Sequence, residues 1–218
     1  MHTNVPRAPI SSILMAFMAV ACGDSSSDSN GDGTSTGQGN PLSAATAQSY
    51  EGIYETTVLT ENDSGCEGAG TDQLASTPEP HFVLVTQEVF GIQELTLLSC
   101  VDVADCQDKA SRLAAMEAVA FEYDASFTEE ISQDELSGFM AWTGTEQDGM
   151  CVDREGEEFV LTRTGDTVHI ERTTMALADK PPDSEGFCVA EPAADREEAA
   201  SAPCVSSAVI EGRRVADL

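Results

Sequence analysis

The sequence predicts an all-β domain: an antiparallel meander of about seven or eight strands that closes into a barrel or a two-sheet sandwich, with one short helix and a disulfide-tied C-terminal tail. Three observations predict it. Phe121, Tyr123, Ala125 and Phe127 alternate with Glu122, Asp124 and Ser126, the period of two that puts apolar groups on one face of a strand and polar groups on the other. Thr164-Gly165-Asp166-Thr167 joins two strand-like runs by a short glycine-containing connection of the hairpin type. Strand-like runs follow one another with short gaps, and closure is expected because it removes exposed strand edges.

In chain order, the first strand is expected over Tyr50 to Thr60, followed by His81 to Glu88 and Ile92 to Cys100. Residues 104 to 118, ADCQDKASRLAAMEA, are rich in strong helix formers and predict a helix. Leu113, Met116 and Val119 give that helix its apolar face, and Asp105 and Asp108 lie near its N-terminus, where the helix dipole favours acids. The alternating segment ending at Phe127 comes next, then a strand over Leu136 to Gln147 that contains the single Trp142. Met150 to Met175 reads as a three-stranded meander, in which Val168, Ile170 and Arg172 alternate with His169, Glu171 and Thr173. After Pro181-Pro182, a short helix at Ala193 to Ala200 lies between the last two cysteines, in a tail expected to be held by its disulfide more than by a strand.

The N-terminal region has a different character. Ser11 to Ala21, SSILMAFMAVA, is about half as long as the ~20 apolar residues a membrane-spanning helix needs. It is preceded by a polar stretch carrying Arg7 and ends in small residues before Cys22, the pattern of a cleaved export signal. With GDSSSDSNGDGTSTGQGN directly after it, this segment resembles a bacterial lipoprotein signal peptide. The resemblance implies residues 1–21 as signal peptide, lipid on Cys22, and membrane attachment through that lipid anchor. Ala19-Val20-Ala21 also fits ordinary secretory cleavage, which would expose the same N-terminus with a free thiol. Bacterial lipoproteins with Asp directly after the lipidated Cys are retained at the inner membrane. Gly23 stands there, with Asp24 next, so the resemblance implies an outer-membrane lipoprotein of the cell envelope.

Residues 22–47 combine the lipidated Cys with a Gly-, Ser- and Asp-rich tether that has little to bury and is expected to be disordered. Residues 48–218 are read as a single globular domain, long enough for a real core. Assigning Cys22 to lipid leaves Cys66, Cys100, Cys106, Cys151, Cys188 and Cys204, an even set suited to an oxidising compartment. Nearness in sequence favours Cys100 with Cys106 and Cys188 with Cys204, leaving Cys66 with Cys151.

Thirty-nine acidic residues against ten basic ones give a formal charge of −29. That excludes nucleic acid as a partner, since a phosphate backbone is bound by neutralising it with Lys and Arg. It also leaves anionic lipid headgroups repelled, so attachment to a membrane falls to acyl chains alone.

The sequence offers no catalytic residues, no cofactor and no metal. G-x-S-x-G, H-E-x-x-H and P-loop patterns are missing, and no C-x-x-C spacing occurs. Asp28, Asn30, Asp32 and Gly33 match the opening of a calcium loop, but Gly39 stands where its bidentate Glu belongs. His81 and His169 lie in no pattern that marks a base, and Glu122, Asp124, Glu129 and Glu130 read as solvated faces of strands and turns.

Gly52-Ile53-Tyr54, at the start of the first strand, is similar to the G-x-W of lipocalins, and the length and meander order look like a lipocalin-type barrel. The resemblance implies a pocket for a small apolar ligand, with Tyr54, Phe82, Phe121, Tyr123 and Trp142 as its candidate lining. Two functions are therefore expected. One is a non-enzymatic envelope lipoprotein displaying a disulfide-stabilised β domain to an envelope protein partner or in a structural role. The alternative is a lipocalin-like carrier of a small apolar ligand.

Overall fold

Each long strand forms where alternating side chains have two different surroundings to satisfy. The computed structural model describes residues 39–66, 70–89, 91–115 and 124–218; residues 1–21, expected as a signal peptide, Cys22 and Asp28 to Gly33 lie outside them, as do Met116, Val119, Phe121, Glu122 and Tyr123. The longer strands are β2 (Gly52–Asn62), β4 (His81–Val89), β5 (Ile92–Cys100), β8 (Glu135–Trp142), β11 (Glu155–Thr164), β12 (Thr167–Ala176) and β13 (Cys204–Ala216). Short strands β1 (Asn40–Pro41), β3 (Thr71–Asp72), β6 (Ala125–Phe127) and β7 (Glu129–Ser132) complete one antiparallel sheet of eleven strands. The sheet curls into a half-barrel in the order β1-β7-β8-β11-β12-β13-β2-β4-β5-β6, with β3 on β2. The all-β antiparallel class expected from the sequence is thus the class observed, in a barrel-type curl.

One stretch of chain joins the two ends of that order. Ala125–Phe127 pairs with β5 and Glu129–Ser132 pairs with β8, and between them the Thr128 N–H donates to Ser137 O at 3.0 Å. Gly138 permits this approach, because a Cβ there would collide with the Ser126 carbonyl.

The concave core contains Tyr54, Phe82, Leu84, Leu97, Phe127 and Phe159 among its buried side chains. Phe127 meets Phe159 edge to face, with centroids 6.2 Å apart. The convex face is covered in two places. Helix α2 (Val103–Ala114) buries Cys106, Ala110 and Leu113, an i, i+4, i+7 stripe, against the outward row Val83, Val85 and Leu98. Asp102 caps α2 by accepting from the Asp105 N–H at 2.9 Å. Helix α3 (Pro192–Ala199), started by proline, lays Ala199 against Met175 and Leu177, with Phe139 beside them.

Several expectations are corrected. Residues before 48 belong to the folded chain: β1 pairs with β7, Leu42 is buried, and Ser43 caps α1 (Ala44–Tyr50), so residues 40–47 are not part of a tether. The strand expected over Leu136 to Gln147 breaks after Trp142 into β8 and β9 (Thr145–Gln147), where Gly144 takes φ 72° against the Val152 carbonyl. β10 (Met150–Val152) pairs with β9 in a separate two-stranded sheet, so only β11 and β12 remain of the three-stranded meander. The tail is not held mainly by a disulfide. Its β13 is a thirteen-residue strand lying between β12 and β2.

Disulfide pairing is corrected as well. Cys100–Cys106 forms as expected, but the other two bridges are Cys66–Cys204 and Cys151–Cys188. Although close in sequence, Cys188 and Cys204 flank α3 and are drawn apart, one toward β10 and the other to the start of β13.

Candidate functional site

Side chains directly opposite one another in a sheet share a face, so the strand register shows how the concave interior changes along the barrel axis. Leu136, Leu161, Ile170, Ile210 and Leu59 form one inward row, entirely apolar. The next row is Gly138, Phe159, Arg172, Ala208 and Glu61, and beyond it come Met140, Glu157, Thr174 and Ser206. Trp142 opposite Glu155 ends the series. The interior therefore grades from hydrocarbon to a polar mouth at the end where β8 and β12 finish.

At the opposite end α1 lies across the half-barrel. Its last carbonyls have no helical partner, and they are supplied from below: Tyr54 Oη donates to Tyr50 O at 2.7 Å, while Arg163 and Arg214 donate to Ser49 O at 2.8 and 3.2 Å. Arg163 lies over the Tyr50 ring and Arg214 over the Tyr54 ring, at 4.2 and 5.5 Å to the centroids. Gly52 leaves room for this, since a Cβ there would stand 2.9 Å from Arg214 Nε. Burial pushes the Tyr50 hydroxyl up to about 12, with the Arg163 charge opposing the rise. Tyr54 is also raised by burial, opposed by its hydrogen bond from Arg214.

Of the expected pocket lining, three residues are described, Tyr54, Phe82 and Trp142. Tyr54 and Phe82 are stacked inside the core, centroids 5.2 Å and planes 5° apart, and both are buried. Trp142 stands at the other end, 52% exposed, donating its indole N–H to Glu157 Oε2 at 3.1 Å. Phe121 and Tyr123 lie outside the described residues.

Two bridges join segments that continue from strands finishing or starting at this end. Cys66–Cys204 ties the chain beyond β2 to the start of β13, and Cys151–Cys188 ties β10 to the segment before α3. Between β10 and β11 Arg154 enters a buried ion pair with Asp195 of α3, both under 5% exposed. Arg154 also donates to Ala178 O and Glu198. Asp195 further accepts from the Glu191 N–H at 2.7 Å and from Lys180 at 3.4 Å.

Arg7 lies outside the described residues, and each of the other nine Lys and Arg side chains stands within 4.0 Å of a carboxylate. Glu129 is one of those carboxylates, bound to Arg196 and accepting from Ser137 Oγ at 3.2 Å. It is half-buried between α3 and β8, not on the solvated face the sequence suggested. Asp124 accepts the N–H of Ser99 in β5 at 2.7 Å.

The histidines do not assemble into catalytic geometry. His169 places its ring nitrogens 3.3 Å from Glu211 and 3.1 Å from Glu171 on the convex surface, and His81 Nδ1 is buried with no hydrogen-bond partner. Among the described residues no three His, Cys, Asp or Glu side chains gather in metal-holding geometry, and no helix is long and apolar enough to cross a membrane.

Sequence reasoning missed Arg154, Asp195, Gly212 and Arg214. The usable signal was scarcity: in a chain with ten cations, Arg154, isolated among carboxylates, is a marked residue.

Comparison with family models, curated proteins and solved structures finds no match for this chain.

Proposed function

We propose that this protein is a lipoprotein of the bacterial cell envelope, anchored in the outer membrane through lipid on Cys22, whose disulfide-bonded half-barrel is displayed for protein interaction and performs no chemistry. The observation that carries this reading is the contrast between the two ends of the interior. The Tyr54–Phe82 stack and α1 fill one end with buried side chains, while the other presents an exposed Trp142 where β8 finishes. Three disulfides suit an oxidising compartment, and with every described cation paired, the acidic excess falls on the surface a partner meets. Affinity recovery of the lipidated protein from detergent-solubilised native envelopes tests this. A stoichiometric protein partner is expected; recovery of the protein alone under repeated mild conditions counts against the reading. Incorporation of labelled palmitate that disappears in Cys22→Ala tests the anchor.

The second reading, a lipocalin-like carrier, draws on the strand order, in which β13 pairs back onto β2 as in an up-and-down barrel. Against it stands the core cluster that occupies the concave face. Native mass spectrometry of oxidatively folded protein before and after organic extraction separates the two. A reproducible adduct lost on extraction favours the carrier, and a clean apo mass favours display.

A further inference from the structure

Trp142 is the only tryptophan in the chain, and it sits in an unusual place for one. Its strand position continues the inward row Leu136, Gly138 and Met140, yet the ring is half open to solvent because the half-barrel ends there. The indole N–H is already held by Glu157, whose other oxygen is 3.5 Å from Thr174 Oγ1, so the ring is oriented and its N–H satisfied without a ligand. What the ring still offers is an apolar π-face bordered by carboxylates. Glu155 stands directly opposite Trp142 in the register, and Glu61 lies on an inward row of the same end.

The two segments joined by the Cys151–Cys188 bridge, one of which follows Trp142 in the chain, repeat this combination. Phe187 and Val189 are exposed on either side of Cys188, which is bridged to Cys151. Asp183 fixes the approach to Phe187 by accepting the N–H groups of Glu185 and Phe187 at 2.9 and 2.8 Å. Glu146, Asp148, Asp153, Asp179 and Glu185 are exposed in the same two segments. The only cations there and on the mouth rows are spoken for: Arg154 is buried against Asp195, Lys180 is paired with Glu191 and Asp195, and Arg172 is 4.0 Å from Glu61.

We infer that this end of the half-barrel is the docking face, and that its occupant is a basic segment of a partner protein, with a Lys or Arg side chain laid over Trp142 and apolar neighbours meeting Phe187. The inference rests on the interaction reading above and specifies its surface and chemistry. Three features favour this occupant. Aromatic anchors in a preorganised frame are the side chains that carry binding energy. A cation over an indole face beside carboxylates gains from both. The partner's charge must complement a surface with no free cation among the described residues, which works against anionic membrane as well as nucleic acid.

The experiment places a photo-crosslinking phenylalanine analogue in the full-length, lipidated chain at position 142, 187 or 92, in the cells that make it. Position 92 is the first residue of β5, at the α1 end, where Ile92 is 55% exposed. The expected result is a protein adduct from 142 and 187 but not from 92, mapping to a peptide rich in Lys and Arg. Its yield should fall at least tenfold when Asp179→Lys and Glu185→Lys are added, since neither side chain holds a structural contact. An adduct on a neutral or acidic peptide, on lipid, or from position 92 alone overturns the docking face. In the last case the interaction reading survives with another surface. No adduct at any position, together with empty affinity recovery, overturns both.

Discussion

Gly212 lies directly beneath the ring of Phe82. The two residues are separated by most of the chain, yet a Cβ at 212 would stand inside the van der Waals envelope of the ring and 3.1 Å from Tyr54 Cβ. The absent side chain is what allows Tyr54 and Phe82 to stack flat within the core.

Gly212→Val should therefore overpack the barrel. A loss of about 1–3 kcal/mol is expected from forcing methyl groups into a filled core, read as a lower urea midpoint with unchanged slope. Adding Phe82→Leu should recover part of the loss, because it removes the ring the new methyls strike; additive losses in the double variant would refute the contact.

The Arg154–Asp195 pair makes a prediction with a built-in control. Asp195→Ala leaves a buried guanidinium short of its main partner and should cost about 3–5 kcal/mol, whereas replacing both residues with apolar ones of similar volume should cost much less. Thermal denaturation of the two variants distinguishes them. Equal losses would mean that the pair contributes through packing alone.

For the disulfides, peptide mapping without reduction should recover Cys66 joined to Cys204 and Cys151 joined to Cys188. On the chain-entropy model the bridge across 138 residues contributes about 5 kcal/mol and the six-residue Cys100–Cys106 bridge about 2 kcal/mol. Removing the first pair by Cys66→Ala with Cys204→Ala should be the more damaging change. A peptide joining Cys188 to Cys204 would contradict the topology.

Tyr50 should resist ionisation. Its hydroxyl is pushed up to about 12 by burial, against an ordinary value near 10. Between those values the folded protein retains a proton that the unfolded chain has released, so stability falls as pH rises across that window and is unaffected below it. Near-ultraviolet titration of Tyr123→Phe, which leaves Tyr50 and Tyr54, should show phenolate appearing late in native protein and near pH 10 in urea. Ordinary titration in the folded state would show that α1 does not seal its end of the barrel.

Much of the fold was legible in local pattern. β4 and β5 lie where β-branched and leucine-rich runs predict them, and the helix expected at 104 is α2, with Leu113 facing inward as its spacing implies. β13 was not legible, for a physical reason. Cys204–Ala216 carries a mid-strand glycine and two arginines, features that read as a charged tail. Gly212 is explained only by Phe82 and Arg214 only by α1, partners remote in sequence. Likewise Trp142 was identified as a pocket residue, and its row does face inward, but where the half-barrel stops depends on Gly144 turning the chain away. The structure of residues 40–47 was hidden by a composition like that of the preceding stretch, although Ser43 and Thr46 hold a capping signal there. Pairing by proximity along the chain succeeds for Cys100–Cys106 but fails for Cys188 and Cys204, whose partners on β10 and beyond β2 are set by strand pairing remote in sequence.

The position of β13 between β12 and β2 has a temporal consequence. Under the export proposed above, the chain crosses a membrane unfolded and N-terminus first, and the domain completes as a unit once its last strand is present. Until then β2 has one flank unclaimed, and so does β12. Before β13 arrives, two long edges stand open as templates for a neighbouring molecule, so the hazardous interval in this protein's life falls between the emergence of Ala176 on the far side and that of Ala216.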